Sequence, residues 1–346
     1  MIPNQWYAVL DSNEVPKGKT IGVTRMGEKL VFWRDAQGKV SCLRDACPHR
    51  GVALSIGKVL GDHVQCPFHG FEFDTSGRCT LIPANGRSGP ISREMKAFDY
   101  PTREMHGFIF IWWGQPTGER LPAGERLPAR ELPPLPWFTD IDDSFSYAGV
   151  QDPWDAHYSR AIENQLDTVH VPFIHHNTIG RGGRTVVDGP LVEWLDENHF
   201  RVYVHNRHDD GTPPVKPRDM TRPDVPFWLE FIFPNLWQNH ISEQLRVTIA
   251  FVPVDNEHST LYLRQYQSFM RVPVLRSIVN RLSMPTNIII AHQDRRVVVT
   301  QLPKRTTLKM GEKLIQGDFP IVAYRRRREE LIEAAAAAAG AGMGAK

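Results

Sequence analysis

Two short segments set a thiol and an imidazole almost side by side. Cys47-Pro48-His49 is followed, after 16 residues, by Cys66-Pro67-Phe68-His69. A pair this close cannot easily point the same way on a helix. A tight turn can aim both at one point, and Pro48, Gly51, Pro67 and Gly70 supply turn chemistry. Two thiolates and two imidazoles suit a structural zinc ion. They equally suit a two-iron cluster, in which thiolates offset ferric charge and neutral imidazoles raise the potential by roughly several hundred millivolts over an all-cysteine cluster. Zinc fingers commonly run Cys, Cys, then His, His; here the order alternates within strand-rich sequence, which favours the iron–sulfur reading. Cys42 and Cys79 stand outside both loops and read as packed thiols.

A second constellation lies in Glu163-Asn164-Gln165-Leu166-Asp167-Thr168-Val169-His170-Val171-Pro172-Phe173-Ile174-His175-His176. The sequence allows a helix over Tyr158–His170, which would put Asn164, Asp167 and His170 on one broad face. A solvated polar stripe would look similar, but an Asp-x-x-His pair followed by another histidine favours a site. On an unbroken helix His170 and His175 would diverge by about 140°. Pro172 cannot continue a helix comfortably, so a break there is expected to swing His175 back toward His170. Two histidines and one carboxylate on one face of an iron form the facial triad of non-haem Fe(II) oxygenases, whose open face admits O2 beside a substrate. His176 reads as a pocket or structural residue.

The loops at 47–49 and 66–69 closely resemble the C-x-H and C-x-x-H loops of Rieske domains. That resemblance implies a [2Fe–2S] cluster with Cys47 and Cys66 on one iron and His49 and His69 on the other. Val52 and Phe68 stand where respiratory Rieske proteins carry a disulfide, which places the chain nearer the ferredoxin and oxygenase branch. The segment from Asn164 to His175 resembles the N-x-x-D-x-x-H-x4-H signature of Rieske oxygenase catalytic domains. The likeness implies His170 and His175 as ligands of a mononuclear Fe(II), Asp167 as a bridge between a cluster histidine and an iron-ligating histidine, and Asn164 near the iron. Within Ala291–Gln301 it also implies Asp294 as the third ligand, with Gln293 where the family usually has Glu. A surface ion pair with Arg295 or Arg296 is the competing role for Asp294, and His292 is a poorer candidate ligand.

These motifs sit in a chain that reads as α+β. Runs at Trp6–Leu10, Thr20–Thr24, Leu30–Trp33, Val40–Leu43, Phe71–Phe73 and Phe108–Trp113 are expected to be strands of an all-β domain over residues 1–114. A Pro-rich connector follows over 115–138, with the duplication Gly-Glu-Arg-Leu-Pro-Ala at 118 and 124. Residues 139–330 read as a catalytic domain. Its strands are expected at Phe200–His205, Phe227–Phe233, Leu245–Val252 and Thr260–Tyr266, and its helices at Val274–Leu282 and Thr286–Leu302, interrupted at Pro285. The resemblance implies a helix-grip fold there, an antiparallel sheet around a long helix. Residues 331–346 form an Ala/Gly-rich tail expected to fray. The Arg325–Arg328 run reads as solvated helix surface rather than a docking patch.

The 346 residues are 41% hydrophobic and 23% charged with a net charge of +2, which disfavours general nucleic-acid binding. There is neither a signal-peptide pattern nor a stretch near the roughly 20 apolar residues of a membrane span. Four cysteines, two beside histidines, suit a reducing cytoplasm. The layout resembles vanillate and dicamba demethylase oxygenases. It implies a terminal oxygenase that takes electrons from a reductase, or a reductase plus ferredoxin, and works as a head-to-tail homotrimer. With O2 it would hydroxylate or O- or N-demethylate a small aromatic compound, as in aromatic catabolism. Ring cis-dihydroxylation is the alternative within the class; an electron carrier or redox sensor with a degenerate second domain is the alternative outside it. Asn239, His240 and Tyr266 are candidate pocket residues.

Overall fold

The computed structural model describes residues 1–114, 132–224 and 226–341. The chain divides between Leu135 and Pro136 into two compact units. Most of the expected connector, including the duplicated hexapeptide, lies outside the described residues.

The first unit is built of short antiparallel strands in three sheets. Gln5–Asp11, Phe108–Trp113 and Thr102–Met105 form one. Ile21–Arg25, Glu28–Arg34, Val40–Arg44 and Asp99–Tyr100 form the second. The third, Lys58–Leu60, His63–Gln65, Glu72–Phe73 and Cys79–Leu81, presents the Cys66 loop between two of its strands. Val31, Trp33, Leu43, Leu54, Val64 and Phe73 make the core behind the loops, together with Cys47, Cys66 and Cys79. Cys42 and Cys79 are buried thiols.

The second unit carries one antiparallel sheet of seven strands. Its spatial order is Ser146–Trp154, Ser259–Gln267, Leu245–Pro253, Leu236–Ser242, Trp228–Ile232, His199–Arg207 and Val186–Asp196. Helix α1 spans Tyr158–Leu166, α2 Val171–Ile174, α3 Pro273–Val298 and α4 Phe319–Ala341. Helix α3 packs on the strands Ser146–Trp154 and Ser259–Gln267, where Asn287 donates to Gln265 (2.7 Å) and Gln267 donates to Asn280 (3.0 Å). The sheet thus grips the long helix.

Three expectations give way here. The helix from Tyr158 stops at Leu166, short of His170. Pro285 does not interrupt α3; it is exposed, so the Arg281 carbonyl deprived of an N–H partner can be hydrated instead. The Arg325–Arg328 run is not solvated surface. In α4, Arg325 and Arg328 are each 3% exposed, whereas Arg326 faces solvent.

Helix α1 is buried along nearly its whole length and is clamped by ions. The Arg325 guanidinium makes a two-pronged contact with Glu163, Nε to Oε1 at 2.8 Å and Nη2 to Oε2 at 2.6 Å. Glu312 joins Arg325 (2.7 Å) to Arg160 (2.8 Å), and Arg160 also donates to the Pro303 carbonyl. Tyr324, next to Arg325 on α4, stacks on Phe233 at 5.5 Å. Arg325→Ala would strip Glu163 of its closest cation in a buried setting. Such losses cost about 3–5 kcal/mol, so thermal unfolding should show a clear drop in Tm. Arg326→Ala, at an exposed position, should move Tm little; equal effects of the two would refute the clamp.

Candidate functional site

The two cysteine loops fold alike. The Cys47 N–H donates to Val52 O (2.8 Å) and the Gly51 N–H returns to Cys47 O (2.8 Å). The Cys66 N–H donates to Phe71 O (2.8 Å) and the Gly70 N–H returns to Cys66 O (3.0 Å). Both returns need a left-handed residue, and Gly51 and Gly70 each have φ 72°, which explains glycine at both positions. The turns put the thiols of Cys47 and Cys66 in the core and leave both imidazoles exposed. The His49 and His69 ring centroids are 4.8 Å apart, with His49 stacked on Phe71. Burial, reinforced by Cys66 alongside, pushes the Cys47 thiol up to about 11, while the backbone N–H groups of His49 and Arg50 favour its thiolate. Two adjoining buried thiols with N–H groups aimed at sulfur, and two imidazoles outside, fit a cluster with one thiolate-bound and one imidazole-bound iron.

In the second unit the stop of α1 shapes the site. Asp167 caps that helix; its own N–H still reaches Glu163 O (2.9 Å). Its carboxylate then accepts from the N–H groups of Val169 (2.7 Å) and His170 (3.4 Å), turning the chain before α2 begins. Pro172 therefore lies in the first turn of a new helix, where a missing N–H costs nothing. The break that brings the histidines together falls at Asp167–His170, upstream of the expected one. Asn164, Asp167 and His170 accordingly do not share one helix. Downstream, the Gly180 N–H donates to His175 O (2.9 Å); a Cβ on Gly180 would lie 2.0 Å from Val171 O, so only glycine closes this turn.

His170 Nε2 lies 3.3 Å and His175 Nε2 2.9 Å from Oδ1 of Asp294, which reaches in from α3. One candidate ligand atom from each of the three residues lies within 4.8 Å of the others. Asp294 Oδ1 is buried yet makes no well-directed hydrogen bond, and neither does His170 Nδ1. Three converging donors that leave each other unsatisfied fit a small dication, and a 2-His-1-carboxylate set suits Fe(II). The remaining atoms are oriented by neighbours. Gln293 Oε1, which can only accept, lies 2.8 Å from His175 Nδ1 and also accepts from Thr178 (2.9 Å), while its Nε2 donates to Asn177 (2.8 Å). The proton of His175 is thereby held on Nδ1 and Nε2 is left for a metal. Gln165 donates to the other oxygen of Asp294 (3.1 Å), and Asp167 Oδ2 stands 3.7 Å from His170 Nδ1. Burial disfavours a charged His170, but Asp167 and Asp294 outweigh it and push the imidazole up to about 9. Burial alone would raise the Asp294 carboxyl; His170 and His175 instead bring it down to about 2.

The triad closes one end of a cavity of about 510 Å³. Asn164 lines it, with a buried and unpartnered Nδ2. Of the three candidate pocket residues, Asn239 lines the cavity and the other two do not. His240 stacks on Trp228 and donates from Nδ1 to the Pro226 carbonyl (2.9 Å), and Tyr266 packs against Tyr147 and Trp137. His292 is half-exposed beside Asp152 (3.4 Å), and His176 is exposed; neither joins the triad. Gln165 and Gln293 are not singled out by the sequence as site residues; their one signal is adjacency to the motif residues Asn164 and Asp294.

Comparison with known proteins matches both halves of the chain to domain families. Residues 5–100 match the Rieske [2Fe-2S] domain, and residues 154–334 match the vanillate O-demethylase oxygenase C-terminal domain. Chlorophyllide a oxygenase of Chlamydomonas reinhardtii is 37% identical over 180 residues, covering 52% of this chain and 25% of that protein. The oxygenase component of dicamba O-demethylase from Stenotrophomonas maltophilia is 30% identical over 175 residues, 50% of this chain and 48% of that protein. The matches to curated relatives thus span only part of those proteins. The solved structure of NdmA from Pseudomonas putida CBB5 has a TM-score of 0.77 at 22% identity, over 98% of this chain and 93% of its own, a likeness of fold. Among the described residues no helix is long and apolar enough to cross a membrane.

A metal at His170 Nε2 competes with the second proton of the imidazolium, the form that Asp167 at Nδ1 and Asp294 at Nε2 together favour. Below about pH 9 metal uptake must release that proton, so apparent Fe(II) affinity should rise by about tenfold per pH unit near neutrality and level off above about pH 9. Anaerobic titration at several pH values checks this; a pH-independent affinity would contradict it. Gln293→Leu should weaken the metal by about 10–100-fold, as the loss of an outer partner to a ligating histidine does. The same titrations measure it.

Proposed function

This chain belongs to the Rieske oxygenases with a vanillate O-demethylase-type C-terminal domain, and from that premise we propose that it is the terminal oxygenase of a multicomponent system that monooxygenates a small aromatic compound. One observation carries the reading: His170, His175 and Asp294 converge, with a face open to a cavity of a size that suits a single-ring substrate. Cys47 and Cys66 would hold one iron of the cluster, His49 and His69 the other, and the triad a mononuclear Fe(II). When bound, that iron supplies O2 activation driven by electrons from the cluster. The chain's residues do the rest. Gln293 fixes the tautomer of His175, Gln165 steadies Asp294, and the walls hold the substrate and shed water.

Demethylation is the favoured outcome, because the dicamba relative is named for it. For a methoxyarene, one oxygen atom of O2 enters a methyl C–H bond and the other leaves as water, with two electrons and two protons supplied. The resulting hydroxymethyl ether releases formaldehyde and leaves an aryl hydroxyl. The electrons would come from a separate reductase, directly or through a ferredoxin, in a reducing compartment such as the cytoplasm. Asp167 is assigned the junction between a cluster histidine of a second copy and His170. Its carboxylate stands beside His170 while 27% of its side chain is exposed, which suits a contact completed in a trimer.

Reconstitution with a reductase and a panel of methoxylated and N-methylated aromatics, scored by formaldehyde, tests the reading. The holoenzyme should carry about three irons per chain; about two, with a silent panel, would reduce the chain to an electron carrier. His170→Ala should abolish formaldehyde release and keep the cluster's visible absorbance. Asp167→Asn should retain both metals and slow reduction of the mononuclear site in single-turnover experiments; normal rates would remove the junction role.

A further inference from the structure

The N-terminal half of α3 turns apolar side chains toward solvent. Val274, Ile278, Leu282, Pro285 and Ile289 follow one another at three- and four-residue steps, so they form one stripe, and Leu275 borders it. All are exposed, Val274 and Leu282 at 70% and 72%. Phe269 and Val272 extend the patch ahead of the helix. The inward side of the same stretch is polar: buried Asn280 accepts from Gln267, and Asn287 donates to Gln265. A surface helix ordinarily faces the other way, apolar to the sheet and polar to water. Charge adds to the asymmetry. Arg271, Arg276 and Arg281 are exposed, and their side chains make no ion pair or hydrogen bond among the described residues. Residues 268–293 contain no Asp or Glu.

We propose that the N-terminal half of α3 docks this chain on an anionic lipid surface. The aliphatic stripe enters the boundary between headgroups and acyl chains, and the three arginines meet lipid phosphates. At 1.5 Å per residue the stripe from Val274 to Ile289 runs about 22 Å, long enough to lie along that boundary. The contact is with the surface: among the described residues no helix is long and apolar enough to cross a membrane. A protein partner fits less well. The patch is aliphatic with one aromatic, Phe269, whereas binding energy between proteins concentrates in Trp and Tyr more than in Leu or Val. A second copy packed through the same stripe would gather both sets of arginines, with no carboxylate of the stripe to offset them. The proposal does not depend on the chemistry at His170, His175 and Asp294.

The test is co-sedimentation of the iron-loaded full-length protein with vesicles, either equal parts phosphatidylglycerol and phosphatidylcholine or phosphatidylcholine alone. The anionic vesicles should bind about 100-fold more tightly, the scale of three cations at such a surface, and high salt should erase that margin. Arg276→Gln/Arg281→Gln should weaken binding to the anionic vesicles by about 30-fold. Ile278→Ser/Leu282→Ser should weaken binding to them by about tenfold, through the lost apolar contact. All four positions are exposed, and an unchanged cluster spectrum and Tm show that the variants fold. Val274→Ser, in the first turn of α3, is a second apolar variant with the same direction of effect. If the two kinds of vesicle bind alike, or the variants bind as the unaltered protein does, the proposal falls. It also falls if the serine variants split an oligomer in sedimentation velocity, which would make the stripe an interface between copies of this chain.

Discussion

The carboxylate of Asp167 ends one helix and starts the next, and the metal site depends on that stop. By accepting the N–H groups of Val169 and His170, it offers the backbone a local partner better placed than the next helical carbonyl. Were α1 to run on, His170 and His175 would point about 140° apart. With the turn, their ring centroids stand 5.2 Å apart and both reach Asp294. The turn is only as fixed as the helix it ends. That helix is held by Glu163, Arg325, Glu312 and Arg160, so an ion network that does not line the cavity helps set where the histidines stand.

The two metal sites solve opposite electrostatic problems. In the loops of the first unit the groups that become anionic are inside and the imidazoles are outside. Burial resists the Cys47 thiolate, and bound iron together with backbone N–H groups must compensate. In the second unit an anion, Asp294, is buried between two imidazoles and held near 2, so its charge is already secured by histidine neighbours that a dication would replace. Orientation comes from uncharged amides, Gln293 and Gln165. An amide at 293 holds the His175 proton without adding a second negative charge beside Asp294.

What the sequence disclosed follows the range of each interaction. Both cysteine loops were legible because every ligand lies within four residues of its partner and the turns are written in Pro and Gly. Most longer strands were legible from composition and period. Three-residue strands such as Lys58–Leu60 and His63–Gln65 were not, since so short a run has no period. Pro172 and Pro285 both looked like breaks and neither is one: the first occupies a first turn, the second an exposed stretch of α3. The arginine run at 325–328 read as surface because its partners, Glu163 and Glu312, are distant in sequence and give no local signal.

The cavity wall shows the same limit at finer grain. Asn239 and His240 are neighbours in sequence and lie on opposite faces of the sheet, because side chains alternate. Register then decides the rest: Asn239 stands between Leu229 and Val247, while His240 stands between Trp228 and Arg246, and Arg246 pairs with Tyr266. One face therefore presents Leu229, Trp237, Asn239 and Ile241 to the cavity. The other carries a buried polar network in which Glu230 takes His199, Arg201 and Trp228, and Asp140 takes Gln238 and Arg246. A slip of one residue would turn Glu230 and Gln238 toward the cavity and the apolar set away from it. The network behind the wall thus holds the wall in register, and the shape of the cavity is governed in part by charges that do not line it.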